Sequence, residues 1–243
     1  MPHARTTRTS DRTSAWARII ALLLAGAGAG AGPAHAQLGG SVSLQSDPRY
    51  RGVSLNGGKP QAQLNLVYDT TAGWYGGAML AQMRFDAQRR SSLLLGYLGR
   101  VVPLAPGLDA EAGITATRFA DLPGYDYAEA YVGLLAERWS ARVYYSGDYF
   151  GRSQRSLYAE LGLNWPLLPA LQAFAHLGAL TGTQGANRNP HGATRFDVRA
   201  GVAWREGPFE FQLAGVAVDR GGPYARSYEP RRSTLVLGAL VSF

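Results

Sequence analysis

The chain has 243 residues, with 24 Lys and Arg against 17 Asp and Glu, which gives a formal net charge of +7. This mild excess is not a nucleic-acid signature. The sequence contains no cysteine, so disulfides cannot stabilise it. Its stability must come from another source, such as a large hydrogen-bonded sheet.

The first 36 residues contain the three regions of a secretory signal peptide in order. A basic start is followed by a short apolar core over residues 19–32 and by the cleavage site Ala34-His35-Ala36. The core is too short and too rich in glycine for a transmembrane helix, and the alternative is a disordered Ala/Gly-rich tail. Cleavage leaves one domain of residues 37–243. It removes four Arg and one Asp, so the formal charge falls from +7 to +4.

Alternation of apolar and polar residues with a period of two runs through the rest of the chain and predicts β-strands. Most of the predicted strands have the roughly 9 to 11 residues with which a tilted strand crosses a bilayer. The predicted fold class is therefore all-β, a transmembrane up-and-down antiparallel β-barrel of twelve strands. The strands are predicted at residues 38–46, 59–68, 74–85, 90–102, 108–119, 127–137, 140–149, 156–165, 171–182, 194–205, 209–219 and 233–243.

The connections between the predicted strands alternate between short and long. DTTAG at 69–73, PLAPG at 103–107 and PLLPA at 166–170 are short, whereas SDPRYRGVSLNGG at 46–58 and DRGGPYARSYEPRR at 219–232 are long. This asymmetry is typical of bacterial outer-membrane barrels. With an even number of strands, both termini are expected on the short-turn, periplasmic side.

The two faces of each predicted strand differ in polarity. One face is uniformly apolar, and the other carries charges in mid-strand, which fits lipid outside and a polar lumen inside. The strands of a soluble β-sandwich also alternate between apolar and polar residues. The alternation therefore indicates a membrane barrel only together with the asymmetry of the loops. The predicted lumen charges are Glu111, Glu129, Glu137, Arg142, Asp148, Glu160, Arg195, Asp197, Arg199 and Glu210.

Two interpretations of these lumen charges remain open at this point. They could line a small pore and set its selectivity. Alternatively, they could pair across a filled interior and only stabilise the barrel, since charges in a low-dielectric place are paired or costly. A barrel of twelve strands is narrower than the porins of 16 to 18 strands that hold an open aqueous channel.

Aromatic residues mark both ends of the predicted barrel. Trp74, Trp139, Trp165 and Trp204 each lie beside a predicted short turn, and Phe243 ends the chain on the same side. Because Trp is favoured where its ring is apolar and its N–H is wet, we predict a periplasmic aromatic girdle. Packing in a core is the alternative. The opposite rim is rich in tyrosine, with Tyr50, Tyr125, Tyr127, Tyr149, Tyr224 and Tyr228.

The chain ends inside an apolar strand, residues 233–243, without a polar tail. Its odd-numbered residues, from Ser233 to Phe243, are predicted to face lipid as the closing strand of the barrel. A terminal Phe on such a strand resembles the assembly signal of outer-membrane proteins. This resemblance implies the barrel-assembly machinery as a partner.

Arginines in the long loops are candidates for two roles. Arg49, Arg51, Arg231 and Arg232 are suited to bidentate contacts with the phosphates of lipopolysaccharide, although a solvated loop surface is the simpler explanation. The first long loop could instead fold into the pore and constrict it at Arg51-Gly52. That dipeptide could also form only a tight turn, which needs the backbone freedom of glycine.

Three short motifs near the start of the mature chain carry a family resemblance. Ser46–Ser54 follows the pattern S-D-x-R-[FY]-R-G-[IV]-S, Gly57–Pro60 reads G-G-K-P, and Gly73–Gly77 follows G-[FW]-Y-x-G. Together they resemble the opening of the TorF-like porin family of proteobacteria. The resemblance covers about a sixth of the chain, from residue 45 to residue 79. It implies a small outer-membrane barrel with a porin role, without catalytic residues and without a named solute.

The residues offer little for an enzyme. The mature chain has His176, predicted in the lumen, and His191, predicted in a loop, and it lacks the G-x-S-x-G and H-E-x-x-H motifs. It also lacks a cofactor motif and a metal-binding cluster. The predicted function is a bacterial outer-membrane porin for passive diffusion of small hydrophilic solutes or ions. A plugged structural or binding barrel is the alternative, and a lipid-modifying enzyme is a third reading.

We expect the protein recovered from the outer membrane to begin at Gln37, because signal peptidase cleaves after an A-x-A site. Intact-mass spectrometry of the full-length gene product expressed in a Gram-negative host checks this. A mature chain that retains residues 1–36 would contradict the signal-peptide assignment.

Overall fold

The computed structural model describes residues 36–86, 88–182, 191–223 and 232–243. Apart from Ala36, the predicted signal peptide lies outside these residues. The strands are β1 Ala36–Gln45, β2 Arg49–Tyr50, β3 Val53–Ser54, β4 Gln61–Thr70, β5 Trp74–Arg84, β6 Arg90–Ala105, β7 Leu108–Phe119, β8 Tyr127–Ala136, β9 Trp139–Ser146, β10 Ser156–Leu168, β11 Leu171–Gly182, β12 Thr194–Glu206, β13 Phe209–Val218 and β14 Ser233–Ser242.

Twelve of these strands, β1 and β4 to β14, form one closed antiparallel barrel in the order β1-β14-β13-β12-β11-β10-β9-β8-β7-β6-β5-β4. Each strand pairs with its neighbours along the chain, and β14 pairs with β1 to close the sheet. The predicted up-and-down barrel is confirmed. Closure leaves no edge strand, so every strand has a hydrogen-bonding neighbour on both sides.

The alternation of the sequence decides which side chains face outward. On β14, Leu235 and Leu237 are 71% and 61% exposed, whereas Val236 between them is buried. The same alternation places Leu98, Ile114 and other large apolar side chains on the outer surface of neighbouring strands. An apolar outer face of this extent around a closed barrel is the surface that a bilayer covers. None of the helical segments in the described ranges is long and apolar enough to cross a membrane.

Some predicted boundaries are wrong at the ends of strands. Strand β9 ends at Ser146, and residues Tyr149–Gly151 form a 3-10 turn, so Asp148 is a loop residue and not a lumen charge. Glu137 lies in the short turn between β8 and β9 with its side chain 87% exposed. At both positions, the apolar–polar alternation of the sequence continues past the last hydrogen-bonded residue of the strand. The alternation alone therefore cannot locate the end of the strand.

The first long loop, residues 46–60, which we call L1, folds into the barrel. Its two short strands, β2 and β3, form a separate hairpin with Arg51 and Gly52 at the tip, both at positive φ (48° and 77°). A Cβ added at Gly52 would lie 2.7 Å from the Cβ of Asp197 and 2.8 Å from the Cβ of Val218. Glycine is therefore required there both for the turn and for its approach to the wall.

An apolar cluster surrounds L1 inside the outer half of the barrel. Leu55 of L1 is buried among inward side chains of several strands. The cluster's buried members are Leu55, Ala81, Leu93, Phe119, Tyr127, Tyr149, Tyr158 and Leu180. Tyr127 and Tyr149 stack edge to face, with ring centroids 4.9 Å apart. These two tyrosines thus pack inside the barrel and do not form an outer rim, and Tyr224 and Tyr228 lie outside the described residues.

A contact between Gly40 and Phe243 joins the first and last strands at the seam of the barrel. Residues 41–45 of β1 pair with residues 238–242 of β14, and Gly40 and Phe243 exchange backbone hydrogen bonds of 2.9 and 3.0 Å. The ring of Phe243 lies over Gly40 on the outer face, where an added Cβ would come within 2.6 Å of it. The terminal aromatic ring thus covers a glycine of the partner strand, as aromatic rings do in other sheets.

We expect Gly40→Val to displace the Phe243 ring and to destabilise the barrel by about 1–3 kcal/mol, the usual cost of overpacking. The measurement is urea unfolding of the refolded barrel. Gly215→Val is the matched control, since Gly215 also faces outward but is exposed, and no atom lies closer than 3.9 Å to its added Cβ. Equal unfolding midpoints for the two variants would contradict a role for the ring at the seam.

Candidate functional site in the lumen

A polar cavity of about 800 Å³ occupies the lumen below L1. The tip of L1 forms its upper boundary, and the inward side chains of the barrel strands form its walls. The residues that line this cavity include Arg51, Arg142, Glu160, His176, Asp197 and Arg199. All the predicted lumen charges within strands face inward, because alternation places them on the face opposite the lipid-facing side chains.

Arg51 anchors L1 to the wall of the barrel opposite β1. Its guanidinium donates two hydrogen bonds to the carboxylate of Glu129 on β8, of 2.9 and 2.7 Å. It also lies over the ring of Tyr158 on β10, 4.1 Å from the centroid. The Arg51 and Glu129 side chains are only 4% and 1% exposed. Bidentate pairing in a buried place fixes both orientation and charge, so this contact locks L1 across the lumen.

L1 is braced internally by a second buried ion pair. Arg49 donates to Asp47 at 2.7 Å and to the Gly52 carbonyl at 2.8 Å, and the Ser54 hydroxyl donates to the other Asp47 oxygen at 2.6 Å. Beside Arg51, burial raises the pKa of the Tyr50 hydroxyl above its ordinary range, so this group stays neutral. The hairpin therefore behaves as a preformed unit.

These contacts decide between the roles predicted for the loop arginines. The side chains of Arg49 and Arg51 are 3% and 4% exposed inside the barrel, so their prediction as lipopolysaccharide contacts is wrong. The burial follows from the inward turn at Gly52. Arg232 is exposed next to β14, and Arg231 lies outside the described residues.

One wall of the cavity holds an ion-pair chain on neighbouring strands. Arg142 on β9 pairs with Glu111 on β7 and lies 3.6 Å from Glu160 on β10. Tyr75 donates to the second oxygen of Glu111 at 2.5 Å, and Tyr144 donates to Glu160 at 3.0 Å. Arg142 thus compensates one of the two carboxylates, and the three groups together carry one net negative charge within the wall.

The adjoining wall, on β10 to β13, has a polar triangle and two further charges. Tyr158, His176 and Asp197 meet with the His176 Nε2 atom 3.0 Å from the tyrosine hydroxyl and 3.2 Å from the carboxylate. Closer to the periplasmic end, Arg205 pairs with Glu210 on the adjacent strand at 2.5 Å. Within the described part of the chain, His176 has no serine or threonine hydroxyl as a hydrogen-bond partner.

Arg199 differs from the other lumen arginines. Its Nη2 atom donates to the Gln212 amide oxygen at 2.7 Å, and the guanidinium lies 5.3 Å from the Phe174 ring centroid. Its Nε atom is buried without a partner, and among the described residues no carboxylate lies within ion-pair distance of it. Arg195, near the outer mouth, also has a buried Nε without a partner among those residues. Arg199 therefore contributes a positive charge to the cavity surface without an ion-pair partner among the described residues.

Several groups in this site are not singled out by the sequence analysis. The hydroxyls of Tyr75 and Tyr144 and the guanidinium of Arg205 bind the predicted carboxylates. The alternation of the sequence shows that these side chains face inward. It does not show which groups they bind, because the cross-strand register decides which inward residues meet.

At the periplasmic end, the structure places the predicted girdle residues on the outer face. Trp74, Trp139, Trp165 and Trp204 are all exposed there. Arg100 lies 5.5 Å from the Trp74 ring centroid, and Arg138 lies 4.3 Å from that of Trp165. This is the arrangement expected at a headgroup boundary, and the girdle itself stays a prediction.

The model of a family described as "Bacterial protein of unknown function (Gcw_chp)" matches residues 28–234. No curated protein matches the sequence. The KdgM porin structure is 12% identical and has a TM-score of 0.53, with 85% of this chain and 98% of that chain covered. The NanC porin is 10% identical with a TM-score of 0.57, covering 85% and 99%. LpxR from Salmonella typhimurium is 11% identical with a TM-score of 0.47, covering 84% and 99%.

These likenesses bear on the fold. At 10–12% identity, the two porins support a porin-type barrel and nothing finer. The likeness to LpxR, with its lower TM-score, is too weak to argue from. The specific resemblance to the TorF-like family stays a prediction, since the matching family model carries a different description.

We expect Glu129→Gln to release L1, because a buried arginine that loses its carboxylate costs about 3–5 kcal/mol. Limited trypsin digestion measures this through cleavage after Arg49 and Arg51, and the expected increase in rate is about tenfold or more. Glu137→Gln is the control, since its pair with Arg138 is exposed and 4.0 Å long. Equal cleavage in wild type and Glu129→Gln would refute the anchoring role.

Proposed function

The chain belongs to the Gcw_chp family of bacterial proteins of unknown function, and we propose that it is an outer-membrane channel for passive diffusion of small hydrophilic solutes or ions. The observation that carries the proposal is the polar cavity of about 800 Å³ between the walls of the barrel. In this proposal, L1 narrows the outer half of the channel through the Arg51–Glu129 contact.

The distribution of ion pairs favours a pore over a filled interior. Glu111, Arg142 and Glu160 pair within strands β7 to β10, and Arg205 pairs with Glu210 between β12 and β13. A filled interior needs charges that meet across the lumen. Within the described residues, the ion pair that crosses the lumen is the one between Arg51 of L1 and Glu129 on β8. Pairing along each wall satisfies buried charges and leaves the space between the walls for water.

The unpaired charges of the lumen are of both signs. Arg142 compensates only one of its two glutamates, and Asp197 has no arginine within ion-pair distance among the described residues. Arg195 and Arg199 have no carboxylate within that distance among the same residues, so the formal charges balance overall. Because one charge acts over several ångströms, with a Debye length of about 8 Å at physiological salt, we expect removal of Arg199 to shift ion selectivity toward cations.

The cellular setting follows from the same proposal. The predicted signal peptide exports the chain, and the barrel-assembly machinery inserts it through the C-terminal strand that ends at Phe243. The porin-type fold supports a location in the bacterial outer membrane. The partners proposed for the protein are outer-membrane lipid, lipopolysaccharide and small solutes.

Single-channel recording of the refolded mature chain, residues 37–243, in a planar bilayer tests the proposal. We expect stepwise conductance with a defined reversal potential in a salt gradient. Arg199→Gln should shift that reversal potential toward cations, because it removes a positive charge from the cavity wall, and Arg195→Gln tests the outer mouth in the same way. Arg100→Gln, on the outer surface at the periplasmic end, should leave selectivity unchanged.

A heat-modifiable, correctly folded barrel that remains electrically silent would overturn the channel and favour the plugged binding barrel. Glu129→Gln refines this outcome. If the wild type is silent but Glu129→Gln conducts, L1 closes the channel, and the lumen below it is open.

A further inference from the structure

Three arginines lie on the outer face of the barrel toward the end opposite the termini. Arg84 on β5 and Arg90 on β6 are directly opposite each other in the antiparallel register. Arg118 on β7 is opposite Leu94 of β6, four residues along that strand from Arg90, or about 13 Å. Strand parity puts all three on the same face as the lipid-facing leucines, and Arg90 and Arg118 are exposed. We call Arg84, Arg90 and Arg118 the outer arginine cluster.

The described residues supply no carboxylate partner to this cluster. Like charges directly opposite each other in an antiparallel pair are destabilising. Arg84 Nε donates to the backbone carbonyl of Asp86 at 3.0 Å, but within the described ranges none of the three arginines has an ion pair. Among the loop acids, the carboxylate of Asp86 is held by Arg89 at 2.6 Å, and that of Asp126 accepts from the backbone N–H of Phe119 at 2.8 Å.

Arg84 and Arg90 lie at the upper edge of the apolar band, and Arg118 lies beside Leu94 within its upper part. Along β6, the outward residues run from Arg90 through Leu94 and Leu98, which are 42% and 50% exposed, to Arg100 beside the periplasmic tryptophan. On β7, Ile114 is followed by Arg118 on the same face. Long arginine stems at this edge cover apolar surface while their head groups reach the polar boundary of the lipid.

We propose that the outer arginine cluster binds the phosphate groups of lipopolysaccharide in the outer leaflet. Guanidinium groups bind phosphate oxygens bidentately and tolerate partial burial better than ammonium groups. Three arginines without acidic partners among the described residues can accept an anionic ligand, and the apolar band beside them is a surface for its acyl chains. The cluster belongs to the long-loop end of the barrel, which faces outward when the short turns are periplasmic.

This inference is separate from the channel. It needs a membrane-embedded barrel with its long loops outward, but it does not depend on whether the lumen conducts. It also replaces Arg49 and Arg51 as the lipopolysaccharide contacts, since those two side chains are buried inside the barrel.

Binding of bisphosphorylated lipid A to the detergent-solubilised mature protein, measured by native mass spectrometry and by titration, tests the proposal. The triple variant Arg84→Gln, Arg90→Gln and Arg118→Gln should bind about tenfold or more weakly, because charge-assisted hydrogen bonds to phosphate are lost. The control is Arg100→Gln with Arg138→Gln, which removes outer-surface arginines at the other end and should leave binding unchanged. Dephosphorylated lipid A should bind the wild type as weakly as lipid A binds the triple variant.

Two results would overturn the assignment. The first is equal lipid A affinity for the wild type and the triple variant. The second is wild-type binding of phosphatidylglycerol as tight as that of lipid A, which would indicate a general phospholipid contact. A heat-modifiability assay verifies folding of each variant. Should the triple variant not refold, Arg118→Gln alone serves, since this residue has no like-charged residue opposite it, and a loss of affinity of about threefold or more is expected.

Discussion

The structure depends on one constraint, which is that lipid offers no hydrogen-bond partners to the peptide backbone. A chain with short strands and an apolar face on each can meet it only by pairing every strand on both sides. The pairing of β1 with β14 closes the sheet, so that each barrel strand is paired on both sides. Gly40 and Phe243 contribute to it with mutual backbone bonds and with an aromatic ring laid over the glycine. The alternation of faces then follows from the period of the strand.

Inside the barrel, the same scarcity of water governs the side chains. The lumen charges pair with neighbours along each wall, as in the chain of Glu111, Arg142 and Glu160. L1 is the element that crosses the space between the walls, and it does so with a bidentate ion pair surrounded by tyrosine rings. The interior is therefore neither a plain tube nor a packed core. Its lower part is a polar cavity, and its outer part is narrowed by a braced hairpin.

Three of the described arginine environments use different properties of the guanidinium group. Arg51 relies on its planar fork to hold a buried carboxylate and on its flat face to stack over Tyr158. Arg199 brings into the cavity a positive charge that no carboxylate among the described residues pairs with. Arg90 and Arg118 use a long apolar stem to reach the edge of the lipid band. Residue type alone did not separate these environments, because all occur within or beside similar alternating strands.

The sequence by itself determined the closed twelve-stranded barrel and the facing of its strands, because a period of two and the alternation of short and long joins are local properties. It also identified eight of the charged residues that face the lumen, although it left out Arg205. It did not determine where strands end, as with Asp148 and Glu137, because alternation can continue past the last paired residue. The tertiary structure decided that L1 turns inward and that Arg51 meets Glu129. Those contacts join residues 78 positions apart, and only the closed barrel brings them together.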